Sequence, residues 1–183
     1  MAIDDTHIVS VYSSVYSLNV PVPAAVARLA SDIARELPDA RARVRGEHTL
    51  LLKRLRAGTD TPYSQLEARA RDVLRGQAPF ELRVPEVGLF REAASGPSPV
   101  VYLAVESPEL HGVHRTLATA FDPVEEVEGE NYVPHITIAR GGSLDRAERL
   151  AGRSVEPITW TATELVFWDA EHEQPVSRLS LPA

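Results

Sequence analysis

The sequence contains no cysteine, which removes disulfides, thiolate nucleophiles and cysteine-ligated zinc together. It has no apolar run near the roughly 18 residues that cross a bilayer. Its opening, Met1-Ala2-Ile3-Asp4-Asp5, lacks the basic start of a secretion signal, so a cytoplasmic protein with no membrane contact is predicted. A Walker loop, a dinucleotide-binding glycine pattern and a Gly-x-Ser-x-Gly elbow are all missing, which leaves nucleoside triphosphate hydrolysis and serine-esterase chemistry without support. Positive charge is scarce too: 19 Lys and Arg stand against 26 Asp and Glu, for a net charge of -7. Such a chain does not coat nucleic acid by neutralising many phosphates, so any contact with a polyanion has to be local.

What remains for chemistry is histidine, carboxylates, hydroxyls and arginine. The 183 residues, 44% of them hydrophobic and 25% charged, suffice for a core of their own. No Gly/Ser-rich linker divides them, so residues 1–183 read as a single domain.

The β-branched and aromatic stretch from His7 to Val20 favours a strand. Val22, Val26, Leu29, Ile33 and Leu37 then recur at helical spacing, and an extended pattern follows from Ala40 to Leu55, broken at Gly46. A second helix runs from Thr61-Pro62 to a stop at Gly76. Phe80 to Phe90 and Pro99 to Val105 read as two hairpin strands. A third helix opens at Ser107-Pro108, and an acidic loop from Asp122 to Glu130 leads to a short strand at His135 to Ala139. A short helix from Leu144 to Ala151 and strands near Ile158 to Trp168 and Val176 to Leu181 complete the chain. The order strand, helix, His-bearing strand occurs twice. It predicts an α+β fold of two duplicated strand-helix-strand lobes, with two antiparallel sheets around a central cleft.

The His-bearing strands can be laid over one another, His48-Thr49-Leu50-Leu51-Leu52-Lys53 on His135-Ile136-Thr137-Ile138-Ala139-Arg140. The histidines are 87 positions apart (135 − 48), and each has a cation five places on. Alternation puts His135 and Thr137 on one face and Ile136 and Ile138 in the core. If the other strand forms the opposite wall, His48 faces His135 across a groove. Leu50 stands where a second hydroxyl is wanted, and Thr49 reaches the groove only through a bulge after His48.

These paired strands resemble the 2H phosphoesterase superfamily, whose signature is two His-x-Thr/Ser-x strands, and within it the 2′-5′ RNA ligase or cyclic phosphodiesterase branch. Pro134 to Arg140 carries the second motif. Phe90, the Val100 to Val105 strand, the third helix and Tyr132 follow in the order of that family. The resemblance implies that of His48 and His135 one acts as general base and the other as general acid on a 2′,3′-cyclic phosphate or 2′-5′ phosphodiester at a nucleotide or RNA end. Thr137 and Thr49 would hold phosphate oxygens, and no metal or cofactor would be required. An imidazole titrating near ~6.5 suits both roles.

Arg140 and Lys53 contact phosphate or merely cap strand ends. Arg41, Arg43 and Arg45, two apart, form either a track for an RNA strand or a charged edge. Tyr132 stacks on a base or packs. His111 and His114, three apart on a helix, read as solvated. A monomer acting on RNA ends or small nucleotides is predicted, with an RNA-end-binding protein of lost catalysis as the alternative.

Overall fold

A computed structural model describes residues 16–56 and 60–183. The predicted first strand is therefore seen only as β1, Tyr16–Val20, and its earlier part lies outside the described residues. α1, Ala24–Ala34, follows Pro23 and buries Val26, Ala27, Ala30 and Ile33, a single apolar stripe at helical spacing. The extended stretch becomes two strands, β2 (Arg41–Ala42) and β3 (Leu50–Arg54). α2 covers Tyr63–Val73, and β4 (Phe80–Phe90) pairs antiparallel with β5 (Val100–Ala104) as the predicted hairpin. α3, Pro108–Ala120, starts where Ser107 Oγ accepts from Leu110 N and proline fills the first turn. β6 (His135–Arg140) and α4 (Leu144–Leu150) come next.

The C-terminal run differs from its prediction. Residues 158–168 do not form one strand: β7 (Ser154–Ala162) ends before Thr163 and β8 (Glu164–Asp169) begins after it, followed by β9 (Gln174–Ser180). β7 pairs with β4 and β8 with β1, so the chain changes halves at Thr163.

The strand order is β7-β4-β5-β6-β3-β1-β8-β9, with β2 beside β6. β6 and β3 meet at its centre through one register pair, Leu50↔Ile136. The two sheets expected from sequence are thus two four-strand halves joined edge to edge, β5-α3-β6 in one half mirroring β1-α1-β3 in the other. Each helix crosses the seam, α1 packing on β6 and α3 on β3, which binds the halves into one core. Among the described residues no helix is long and apolar enough to cross a membrane.

Candidate active site

Leu50 and Ile136 are both fully buried, so their neighbours Thr49 and Leu51, His135 and Thr137 share the opposite face. That face lines a cleft of about 300 Å³. One step beyond, each strand carries a bulge. The β1–β3 register passes from Asn19↔Leu51 to Leu18↔Lys53 and leaves Leu52 over. The β5–β6 register passes from Tyr102↔Thr137 to Val101↔Ala139 and leaves Ile138 over. An extra residue inverts the alternation beyond it. Lys53 and Ala139 therefore turn into the core while Arg54 and Arg140 turn into the cleft. Cleft positions in the two halves are 86 residues apart (135 − 49, 137 − 51, 140 − 54), so Thr49 is the counterpart of His135 and Arg54 that of Arg140.

Of the residues singled out from sequence, the structure brings Thr49, Tyr132, His135, Thr137 and Arg140 together in the cleft lining. It does not bring in His48, Lys53 or Arg45. His48 stands one place too early, at the counterpart of Pro134 (134 − 48 is again 86). It is 7% exposed, and both ring nitrogens are buried without a hydrogen-bond partner. Burial, helped by Arg43 and opposed by Glu47, holds its pKa below the usual histidine value. The groove in which His48 was to face His135 is therefore lined by Thr49 instead, reached by plain alternation and not by a bulge after His48. Of Arg41, Arg43 and Arg45 only Arg43 lines the cleft. The strand ends at Ala42 and the chain turns at Arg45-Gly46, so the three never share one extended face. Arg54 completes the cations of a lining that also includes the acids Glu92 and Glu126.

His135 Nδ1 lies 2.7 Å from the Val133 carbonyl, to which it donates, and Nε2 is left with its lone pair. The ring meets the edges of Phe90 (5.1 Å) and Tyr102 (5.3 Å), which stack on each other at 4.3 Å. Tyr102 lies flat across Gly88, its cross-strand partner, where a Cβ would come within 2.2 Å of the tyrosine ring; only glycine fits there. Burial lowers the His135 pKa, Arg140 and Arg54 add to this, and the Val133 hydrogen bond opposes it. The shift favours the neutral imidazole at pH 7.

Behind the cleft wall Lys53 and Glu128 form an ion pair at 2.6 Å with both side chains 0% exposed. Lys53 Nζ also donates to the carbonyls of Arg54 and Asp122, which uses all three of its protons. Glu128 accepts from Lys53, Val124 N, Arg54 N and the Arg54 guanidinium, and so fixes the cleft arginine. The carbonyls at the β3 bulge find side-chain donors, Tyr132 Oη on Leu51 and His114 Nδ1 on Leu52. His114 is not solvated: it is buried, stacks on Tyr132 at 3.8 Å and accepts from Gly129 N. Tyr132 is thus held as a wall of the cleft, with a hydroxyl that burial keeps well above the ordinary tyrosine pKa. Sequence reasoning missed Glu128, whose only signal was its place in the acidic loop.

Glu128→Ala would strand a buried lysine, and a loss of about 3–5 kcal/mol in unfolding free energy is expected by urea denaturation. Burial raises the Glu128 pKa, but hydrogen bonds from Lys53, Val124 N and Arg54 N outweigh it, so the folded value lies below the reference of 4.5. The contribution is therefore present above that reference and lost as pH falls through the folded pKa. Unfolding free energies of Glu128→Gln and the parent should converge in acid.

Residues 22–174 match the profile of the 2′-5′ RNA ligase superfamily. An RNA 2′,3′-cyclic phosphodiesterase of Methanothermobacter thermautotrophicus is 34% identical over 92 residues, 48% of this chain and 47% of that protein. The chain thus aligns with about half the length of that curated relative. Similar crystal structures include a Thermus thermophilus protein, with a TM-score of 0.61 and 21% identity over 91% of this chain and 97% of that one. They also include E. coli LigT complexed with 3′-AMP (0.61, 17%, covering 92% and 98%) and with ATP (0.63, 18%, covering 93% and 98%). At such identities the likeness shows the fold alone. With the profile matched over most of its length, the chain belongs to the 2′-5′ RNA ligase superfamily.

Proposed function

We propose that the protein is a phosphoesterase that opens a 2′,3′-cyclic phosphate, or cuts a 2′-5′ phosphodiester, at a nucleotide or RNA end. One observation carries the reading: an imidazole anchored through Nδ1 to a backbone carbonyl borders a cleft that also holds Arg43, Arg54 and Arg140 and the hydroxyls of Thr49 and Thr137. In the cyclic reaction His135 Nε2 takes a proton as water attacks phosphorus. The bond to one ribose oxygen breaks, and that oxygen takes a proton from solvent in the cleft, leaving a phosphomonoester. The hydroxyls donate to non-bridging oxygens, and the guanidiniums offset the charge that builds on them. Every step uses protein groups and water. The archaeal relative is named for RNA 2′,3′-cyclic phosphate, and LigT is seen with 3′-AMP and with ATP, which supports a nucleotide-sized substrate.

The test is incubation with nucleoside 2′,3′-cyclic phosphates and cyclic-ended RNA in EDTA, with product read by chromatography. Because the base must be unprotonated and its pKa is depressed, kcat/KM should be flat at neutral pH and fall only below about 6.5, by about tenfold per unit. Absence of product with every substrate would overturn the proposal.

A second reading, an RNA-end-binding protein of the same fold with weak or lost catalysis, is favoured by Thr49 and Leu51 at the places where the other strand has His135 and Thr137. It predicts salt-dependent binding of RNA ends without turnover.

A further inference from the structure

A second cavity, of about 460 Å³, opens between the start of α2, the end of α3 and the chain leaving β3. Its polar lining is Arg56, Thr61, Gln65, Arg69 and Asp122. Neither guanidinium has an ion pair or a side-chain hydrogen bond among the described residues. Arg69 instead lies over the Phe121 ring at 5.5 Å, which fixes its direction. Gln65 and Arg69 are one helical turn apart on the same face of α2. Two unpaired cations against one acid make this a locally positive site in a chain whose net charge is -7.

The cavity and the cleft share a wall. Arg54 lines the cleft and Arg56, two residues on, lines the cavity, with Leu55 buried between them. Two residues of extended chain span at most about 7 Å. On the other side, Asp122 lines the cavity and the same loop reaches the cleft at Glu126 and Val127. The acidic loop is held against β3 by the Lys53–Glu128 pair, and Asp122 N donates to the Arg56 carbonyl at 3.3 Å. The order of cations along the surface is therefore Arg140 and Arg54 in the cleft, then Arg56 and Arg69 beside it.

We infer that the Arg56–Arg69 cavity is a subsite for a backbone phosphate of a single-stranded RNA whose reacting end occupies the His135 cleft. The inference rests on the phosphoesterase reading above and deepens it: the preferred substrate is an oligonucleotide end, not a free mononucleotide. A mononucleotide fills the cleft alone and leaves the second cavity unused. An RNA strand that continues past Arg54 brings its next phosphate against two guanidiniums that hold no ion pair among the described residues. A backbone phosphate is the same at every step of the strand, so the gain should be independent of sequence.

Two assays test this on the full chain. Turnover of a nucleoside 2′,3′-cyclic phosphate is compared with that of a short oligoribonucleotide carrying the same end, in the parent, Arg56→Ala, Arg69→Gln, the double variant and Arg56→Lys. Anisotropy of a labelled oligoribonucleotide with a 3′-phosphate end gives binding without chemistry across a salt series. The double variant should lose about tenfold in kcat/KM on the oligonucleotide, through KM, and lose nothing on the mononucleotide. Its salt slope should fall by about 0.7, the share of one single-strand phosphate, and Arg56→Lys should recover part of both. Equal losses on both substrates, or none on either, overturn the subsite. If neither substrate turns over in the parent, the phosphoesterase reading fails. The binding series still decides the subsite, which an unchanged affinity and slope in the double variant would overturn.

Discussion

His135→Ala is expected to lower kcat/KM on a nucleoside 2′,3′-cyclic phosphate by about 10²–10⁴, the share of a positioned acid–base group. The ring is held by Val133, Phe90 and Tyr102 and faces a cleft in which it is the only imidazole among the described lining residues. The other titratable lining groups with a shifted pKa serve differently: Tyr132 is fixed on Leu51, and Arg140 stays a cation despite the lowering caused by burial and by Arg43. His48→Leu is the informative control. It removes two buried, unpartnered nitrogens and should stabilise the fold by about 1–3 kcal/mol while leaving turnover within a few fold. Loss of turnover in His48→Leu equal to that in His135→Ala would sink the one-imidazole mechanism. It would mean that β3 works in a register one residue removed, since a single-residue slip sends every side chain to the other face.

Much of the fold was legible because the two lobes repeat. β1-α1-β3 and β5-α3-β6 are each marked by extended, largely apolar runs around an amphipathic stripe, and the Pro134 to Arg140 segment places Thr137 and Arg140 beside His135. What escaped were the two bulges. Leu50 to Leu52 are apolar on both faces, and so are Ile136, Ile138 and Ala139, so hydropathy cannot mark the residue that is counted twice. The cations show the effect. Lys53 and Arg140 looked equivalent at five places after a histidine, yet the extra residue at Leu52 buries Lys53 and presents Arg54. Matching His48 to His135 by residue type gave an offset of 87, whereas the bulges and the cleft faces agree on 86. Glu128 escaped for another reason: it pairs with Lys53 across 75 residues, and a carboxylate in an acidic loop carries no sign of burial. The break at Thr163 was hidden because the β-forming residues run on through it while the hydrogen-bond partner changes from β4 to β1.

The offset of one residue leads to the second large effect. Exchanging the neighbours, His48→Thr with Thr49→His, puts an imidazole at the counterpart of His135, on the cleft face of β3, and is expected to raise kcat on the cyclic phosphate by about 10² or more. In the parent the leaving ribose oxygen takes its proton from solvent. In the exchanged protein an imidazolium at position 49 stands on the strand facing His135 and can supply that proton as the bond breaks. The pH profile should change accordingly, from a single acid limb to a bell whose alkaline limb reports the new acid. Arg43 and Arg54, both in the lining, favour the neutral imidazole, so the optimum should lie on the acid side of pH 7. Stability should not suffer, because threonine at position 48 replaces two orphaned ring nitrogens with one hydroxyl. An exchanged protein that folds, binds nucleotide and keeps the parent's rate and single limb would show that position 49 lies out of line with the attacking water. The halves would then be symmetric in fold but not in chemistry.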